Sequence, residues 1–225
     1  FVLSLAVVEY QTAVLQQDWA HAQELLPRIP AHQRGKVAKF LESQEMPELA
    51  LEVASDPDHR FDLAVSLGRF DVALDIARSG PASGAEMRWR TIGDRALARW
   101  NVPLAQECFE HASDMHSLFL IATAKRDAGL LRRVAQAART QGELNLAVAA
   151  FVQLQDADAL VDILCDVQRP AEAALYARTY APHLVPRAVD AWKSSFAAQK
   201  SAKQQQMGER IGDPRTEPAS FPELS

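Results

Sequence analysis

Apolar residues return along most of this chain every three or four positions, and strict apolar/polar alternation is nearly absent. That period is the period of a helix with one buried face, not of a half-buried strand. Segments with this pattern cover 4–17, 19–28, 31–44, 47–55, 57–68, 70–79, 84–99, 102–112, 114–127, 129–139, 143–154, 156–167, 170–180 and 184–205. No Asn-Gly or Asp-Gly hairpin signal separates them. The expected fold class is all-α.

A three-position motif recurs within these helices: a small residue, then an apolar pair three and four positions on. It reads Ala22/Leu25/Leu26, Ala50/Val53/Ala54, Ala73/Ile76/Ala77, Ala105/Cys108/Phe109, Ala147/Ala150/Phe151 and Ala173/Tyr176/Ala177. Positions i, i+3 and i+4 share one helix face, and a small residue there admits a neighbouring helix closely. Turn chemistry precedes several copies, as in LGRFD (67–71), RWNVP (99–103), QGELN (141–145) and QRPAE (168–172). Helices this short bury their faces only on their neighbours. The pattern therefore predicts an α-solenoid of stacked helical hairpins, with irregular tetratricopeptide-like repeats. A plain bundle of alanine-rich helices is the simpler alternative. The expected division is a solenoid over 1–197, followed by a helix end and polar tail over 198–225 with little independent structure after Gly208. Phe221 and Leu224 are apolar islands in that tail, either idle or a docking contact.

Composition narrows the function classes. The formal net charge is −5 and no basic block precedes the tail, which argues against nucleic acid as a partner. The opening FVLSLAVVEY has no basic leader and is interrupted by Glu9, so it is neither a membrane span nor a normal signal peptide. The chain starts on Phe, and we expect it to be a piece of something longer. Cys108 and Cys165 stand in helical stretches without C-x-x-C spacing, as buried reduced thiols do.

Candidate chemistry is thin. Asp56, Asp58, His59 and Asp62 crowd eight residues of SDPDHRFD. Asp56 fits an N-cap, Pro57 the first helical position and Asp58 the first turn, where negative charge meets the positive helix end. His59 and Asp62 alone make too few ligands for zinc. His111 and His116 are spaced poorly for one face, and Trp19, Trp89, Trp100 and Trp192 are expected to pack between helices. G-x-S-x-G, G-x-G-x-x-G and Walker A patterns are absent. We therefore expect no catalytic, metal or cofactor site, and no enzyme. Two other readings compete with a scaffold. A peptide-binding adaptor would use Lys36, Lys39, Arg132 and Arg133; a helical enzyme would use the Asp56/Asp58/His59 cluster.

Longer stretches carry a resemblance. VEYQTAV (8–14), IPAHQRGKVAKFLESQ (29–44), ALEVASDPDHRFDLAVSLGRFDVA (50–73), LARWNVPLAQECFEHASD (97–114), AEAALYARTYAP (171–182) and DPRTEPASFPEL (213–224) resemble the coatomer beta-prime family. Residues 78–92 depart from the family's pattern, and the family's run between DP and FP is more acidic and aromatic than RTEPAS. The resemblance implies the α-solenoid part of a COPI vesicle-coat subunit, without the propellers that read cargo signals. It implies a scaffold that pairs with the alpha subunit of coatomer in Golgi-to-ER and intra-Golgi transport. It further implies a cytoplasmic protein, peripheral on Golgi and vesicle membranes, with no direct membrane insertion. It names no interface residue.

Overall fold

A computed structural model of the chain describes residues 5–197 and 202–222. Among these the regular structure is helical, without strands. The helices are α1 (Leu5–Leu15), α2 (Trp19–Leu25), α3 (Ala31–Ser43), α4 (Pro47–Val53), α5 (Pro57–Leu67), α6 (Phe70–Ser79), α7 (Ala85–Ala98), α8 (Val102–His111), α9 (Met115–Lys125), α10 (Ala128–Gln141), α11 (Leu144–Leu154), α12 (Ala157–Asp166), α13 (Pro170–Tyr180), α14 (Val185–Ala197) and α15 (Ala202–Glu209). Short 3-10 turns follow α2 and α13, and a third bends the tail at Pro218–Ser220.

Two compact units divide the chain, Phe1–Asp114 and Met115–Ser225. In the first, α1/α2, α3/α4, α5/α6 and α7/α8 form hairpins, while α1 also touches α3 and α5 touches α7. In the second, each helix from α9 to α15 packs on the next, and α9 meets α11 as α12 meets α14. Contact with both the next helix and the one after is how hairpins stack. The all-α, repeat-like class read from the periodicity is what the structure has.

A single turn geometry accounts for nine of the connections. In each, one residue takes the left-handed conformation: Gln17, Glu45, Gly68, Trp100, Ser113, Arg126, Gly142, Gln155 and Gln168. Its amide bonds back three residues, and the following amide bonds back five. Gln155 N donates to Val152 O at 3.1 Å and Asp156 N to Phe151 O at 3.2 Å, the Schellman pattern that satisfies the last carbonyls of a helix. The very next residue opens the following helix. Asp18, Asn101, Asp127 and Asp156 do so with side-chain caps, accepting from His21 N, Leu104 N, Leu130 N and Ala159 N at 3.1, 3.4, 2.9 and 3.1 Å.

This turn sets the register of the core. Five positions after each left-handed residue stand Ala22, Ala50, Ala73, Ala105, Leu118, Leu131, Ala147, Leu160 and Ala173, all buried. The six copies of the small-plus-pair motif are therefore members of a longer series. Leu118, Leu131 and Leu160 occupy the same place with a large side chain. From Trp100 to Arg126, and again from Gly142 to Gln168, the turns recur every 13 residues, the length of one helix and its turn.

Two expectations need correction. Trp100 does not pack between helices, being 86% exposed at φ 60°, and Trp19 is only partly covered, at 42% exposed. Nor does one helix run across 184–205. The chain forms α14, and α15 then packs back on α14; residues 198–201 of that range lie outside the described ones, as does Leu224. The turn-back brings Gly208 so close that a Cβ there would lie 2.7 Å from Cβ of Phe196.

Candidate functional site

The acidic opening of α5 is the densest run of candidate chemistry in the chain. Asp56 holds the N-cap position in extended conformation, Pro57 is the first helical residue and Asp58 lies in the first turn. The Asp56 carboxylate makes no cap hydrogen bond; its carbonyl accepts from Arg60 N at 2.9 Å. Asp58 instead reaches α7, where Arg88 Nη2 donates to its Oδ1 at 2.9 Å. His59 Nε2 lies 2.5 Å from Glu42 Oε1 of α3. The cluster thus ties α5 to α3 and α7. Among the described residues no group of three or more His, Cys, Asp and Glu is placed to hold a metal ion.

The same acids bear on peptide binding. An open groove beside α3 and α5 is lined by Lys36, Lys39, Asp56, Asp58, His59 and Asp62. An acidic peptide end would meet three carboxylates together with the two lysines, so the groove lacks the basic field such a ligand needs. The remaining candidates are structural. His111 stacks on Trp89 at 4.4 Å between centroids, tilted 23°. Cys108 is buried, and desolvation pushes its thiol up to about 11. Cys165 is half-buried and shifted the same way for the same reason. Such thiols are poor nucleophiles.

The most built polar cluster lies where the sequence promised little. Asp213 is 5% exposed and accepts from Lys193 Nζ at 3.1 Å, from its own turn through Arg215 N at 3.0 Å, and from Arg215 Nε and Nη2 at 2.9 and 2.8 Å. These donors, Arg215 first, hold its carboxyl well below the usual carboxylate range. Arg215 also pairs with Asp190 of α14. Phe221 is buried too, with Arg178 of α13 lying 5.0 Å over its ring. The signal available in sequence was the Asp-Pro-Arg turn followed by a lone Phe in a polar tail. A second buried acid, Asp114, accepts from Arg90 Nε at 2.9 Å in the first unit. Trp100, Leu120, Leu175 and Tyr180 are large apolar side chains left exposed on helix faces and turns.

Stacked hairpins with buried apolar residues at a fixed register define a helical-repeat protein of tetratricopeptide type. The chain belongs to the COPA/B TPR domain family, whose family model matches residues 10–193. Among curated proteins it is 38% identical over 224 residues to coatomer subunit beta' of Drosophila melanogaster, covering 100% of this chain and 23% of that protein. It is 37% identical over 224 residues to coatomer subunit beta' of Homo sapiens, covering 100% of this chain and 24% of that protein. Coatomer subunit beta'-2 of Oryza sativa subsp. japonica is likewise 37% identical, with 100% of this chain and 23% of the relative covered. The chain thus spans about a quarter of the length of the curated relatives it matches.

Proposed function

We propose that this chain is the helical scaffold part of a COPI coat subunit of the beta-prime type. The observation that carries the reading is an end-to-end match to coatomer beta' proteins from animals and a plant. Its working surface is the flank of stacked hairpins, and its work is assembly, not turnover. The first partner is the alpha subunit of coatomer, met solenoid to solenoid, in Golgi-to-ER and intra-Golgi transport. The protein acts in the cytoplasm, and peripherally on Golgi and vesicle membranes through the assembled coat. None of the described helices is long and apolar enough to cross a membrane. A lattice contact commonly buries roughly 1,200–2,000 Å² in total, within reach of a surface built from this many helices. On this reading Asp56, Pro57 and Asp58 shape and anchor the start of α5 and take no part in chemistry.

The test is co-purification from eukaryotic cytosol with the 225-residue chain as bait. Recovery of the alpha subunit of coatomer, in stoichiometric amount and at salt that strips weak ionic contacts, is the expected result. A folded bait that recovers no coatomer subunit overturns the proposal.

A further inference from the structure

The tail is not spread evenly over the second unit. It is fixed at two points. At one, Asp213 gathers Lys193 of α14 and Arg215, and Arg215 pairs onward with Asp190 of α14. At the other, Phe221 slots beside α13, where Arg178 Nη2 donates to Ser220 O at 3.2 Å and covers the ring. Between them the backbone turns on itself, Glu217 N donating to Asp213 O at 2.8 Å and Phe221 N to Pro218 O at 3.0 Å. What lies beneath is mostly apolar, rimmed by Arg178 and Arg210. Leu175, Val189, Trp192, Phe196 and Met207 line a groove of about 520 Å³ that Phe221 borders and the tail only partly fills.

We propose that Asp213–Phe221 is a detachable strap that covers, in cis, the apolar face of α13 and α14. Three observations carry this. First, α14 packs on α13 and on the eight-residue α15, and the groove bordered by these three helices is covered by the strap. Second, the strap is held to α14 by two ion pairs, Lys193 with Asp213 and Arg215 with Asp190, while the other bonds to the Asp213 carboxylate come from Arg215 within the strap and its apolar anchor is a single ring. Third, its backbone bonds are nearly all within itself, so it can leave the face without opening the helices below. A segment with few long-range backbone bonds and little buried apolar area opens below the global unfolding limit. The strap is therefore a cover with two states: with the strap on, the apolar face is closed, and with it off, the face is bare. This goes beyond the coat reading and stands without it.

The experiment is hydrogen exchange on the 225-residue chain and on Asp213→Asn and Phe221→Ala, with fluorescence of the apolar dye ANS as a second readout. In the unaltered chain the amides of Thr216, Glu217 and Phe221 are expected to be protected. Asp213→Asn keeps the shape and removes the charge; strap exchange should speed by about tenfold or more while α10–α12 amides hold their rates, the mark of local opening. ANS emission should rise several-fold as the groove is bared. Phe221→Ala should free Phe221 and Ser220 first and leave the Asp213 turn partly protected. The idea is overturned if the strap amides exchange freely in the unaltered chain, or if Asp213→Asn leaves them protected. It is equally overturned if strap and α13/α14 amides speed together, which would make the tail part of the core.

Discussion

Gln155 sits in the left-handed region at φ 55°, ψ 29°, with its side chain in solvent. A Cβ in this conformation costs about 1–2 kcal/mol, which glycine does not incur. Glycine in turn gives up about 0.5–1 kcal/mol through the greater freedom of the unfolded chain. Both turn hydrogen bonds are backbone bonds and survive the change. Gln155→Gly should therefore stabilise the second unit by about 0.5–1 kcal/mol. For a unit of roughly a hundred residues that raises Tm by about 2–8 °C. Thermal unfolding by circular dichroism, backed by urea titration, is the assay. Gln155→Ala is the control, because alanine retains the Cβ and gains nothing. Gly142, at φ 82° with open space around it, gives the mirror experiment: Gly142→Ala should lower Tm by a similar amount. If Gln155→Gly behaves like Gln155→Ala, or melts lower than the parent, the turn is not under the strain assigned to it.

Other outcomes follow from the same geometry. Ala73 is fully buried five residues after Gly68, so Ala73→Trp should cost about 1–3 kcal/mol or more by overpacking, read as a fall in Tm; an unchanged Tm would place this face outside the core. Asp58→Asn with His59→Ala removes two exposed inter-helix contacts and should cost about 1 kcal/mol or less, and calorimetry with zinc should show no binding before or after. Cys108 should resist thiol reagents in the native state and react on unfolding. Its raised thiol has a sign as well: the unfolded group ionises above pH 9 while the folded one stays protonated to about 11, so stability falls across that window. A native thiol that reacts at the rate of a free one would show Cys108 to be open to solvent.

The helices were legible because their apolar faces repeat, and most boundaries lie within a residue or two of the pattern. The repeat unit was only half legible. Searching for alanine found Ala22, Ala50, Ala73, Ala105, Ala147 and Ala173, but passed over Leu118, Leu131 and Leu160 at the same register. The shared element is a backbone conformation, and Trp, Ser, Arg and Gln at left-handed positions do not announce it as Gly68 and Gly142 do. Around Asp56, Pro57 and Asp58 the local sequence speaks only of a helix start. The partners Arg88 and Glu42, 30 and 17 residues away from Asp58 and His59, carry no local signal. Asp213 was missed for the same reason: its donor Lys193 lies a helix away, and polar composition hid a buried acid.

The two-residue turn has a consequence for how such a chain tolerates change in length. From a left-handed residue to the next helix there is no slack, since one residue ends a helix and its neighbour begins another. One inserted residue would rotate the following face by about 100° relative to its core partners. Between Leu26 and Pro30, or between Gly80 and Gly84, the connections are longer and use 3-10 or irregular backbone, where an added residue is absorbed locally. A library of single-residue insertions should therefore yield folded protein at those two connections and lose it at Gln155 or Gln168. Growth and loss of sequence are thereby channelled to a few permissive joints, while the 13-residue stretches are copied whole or not at all.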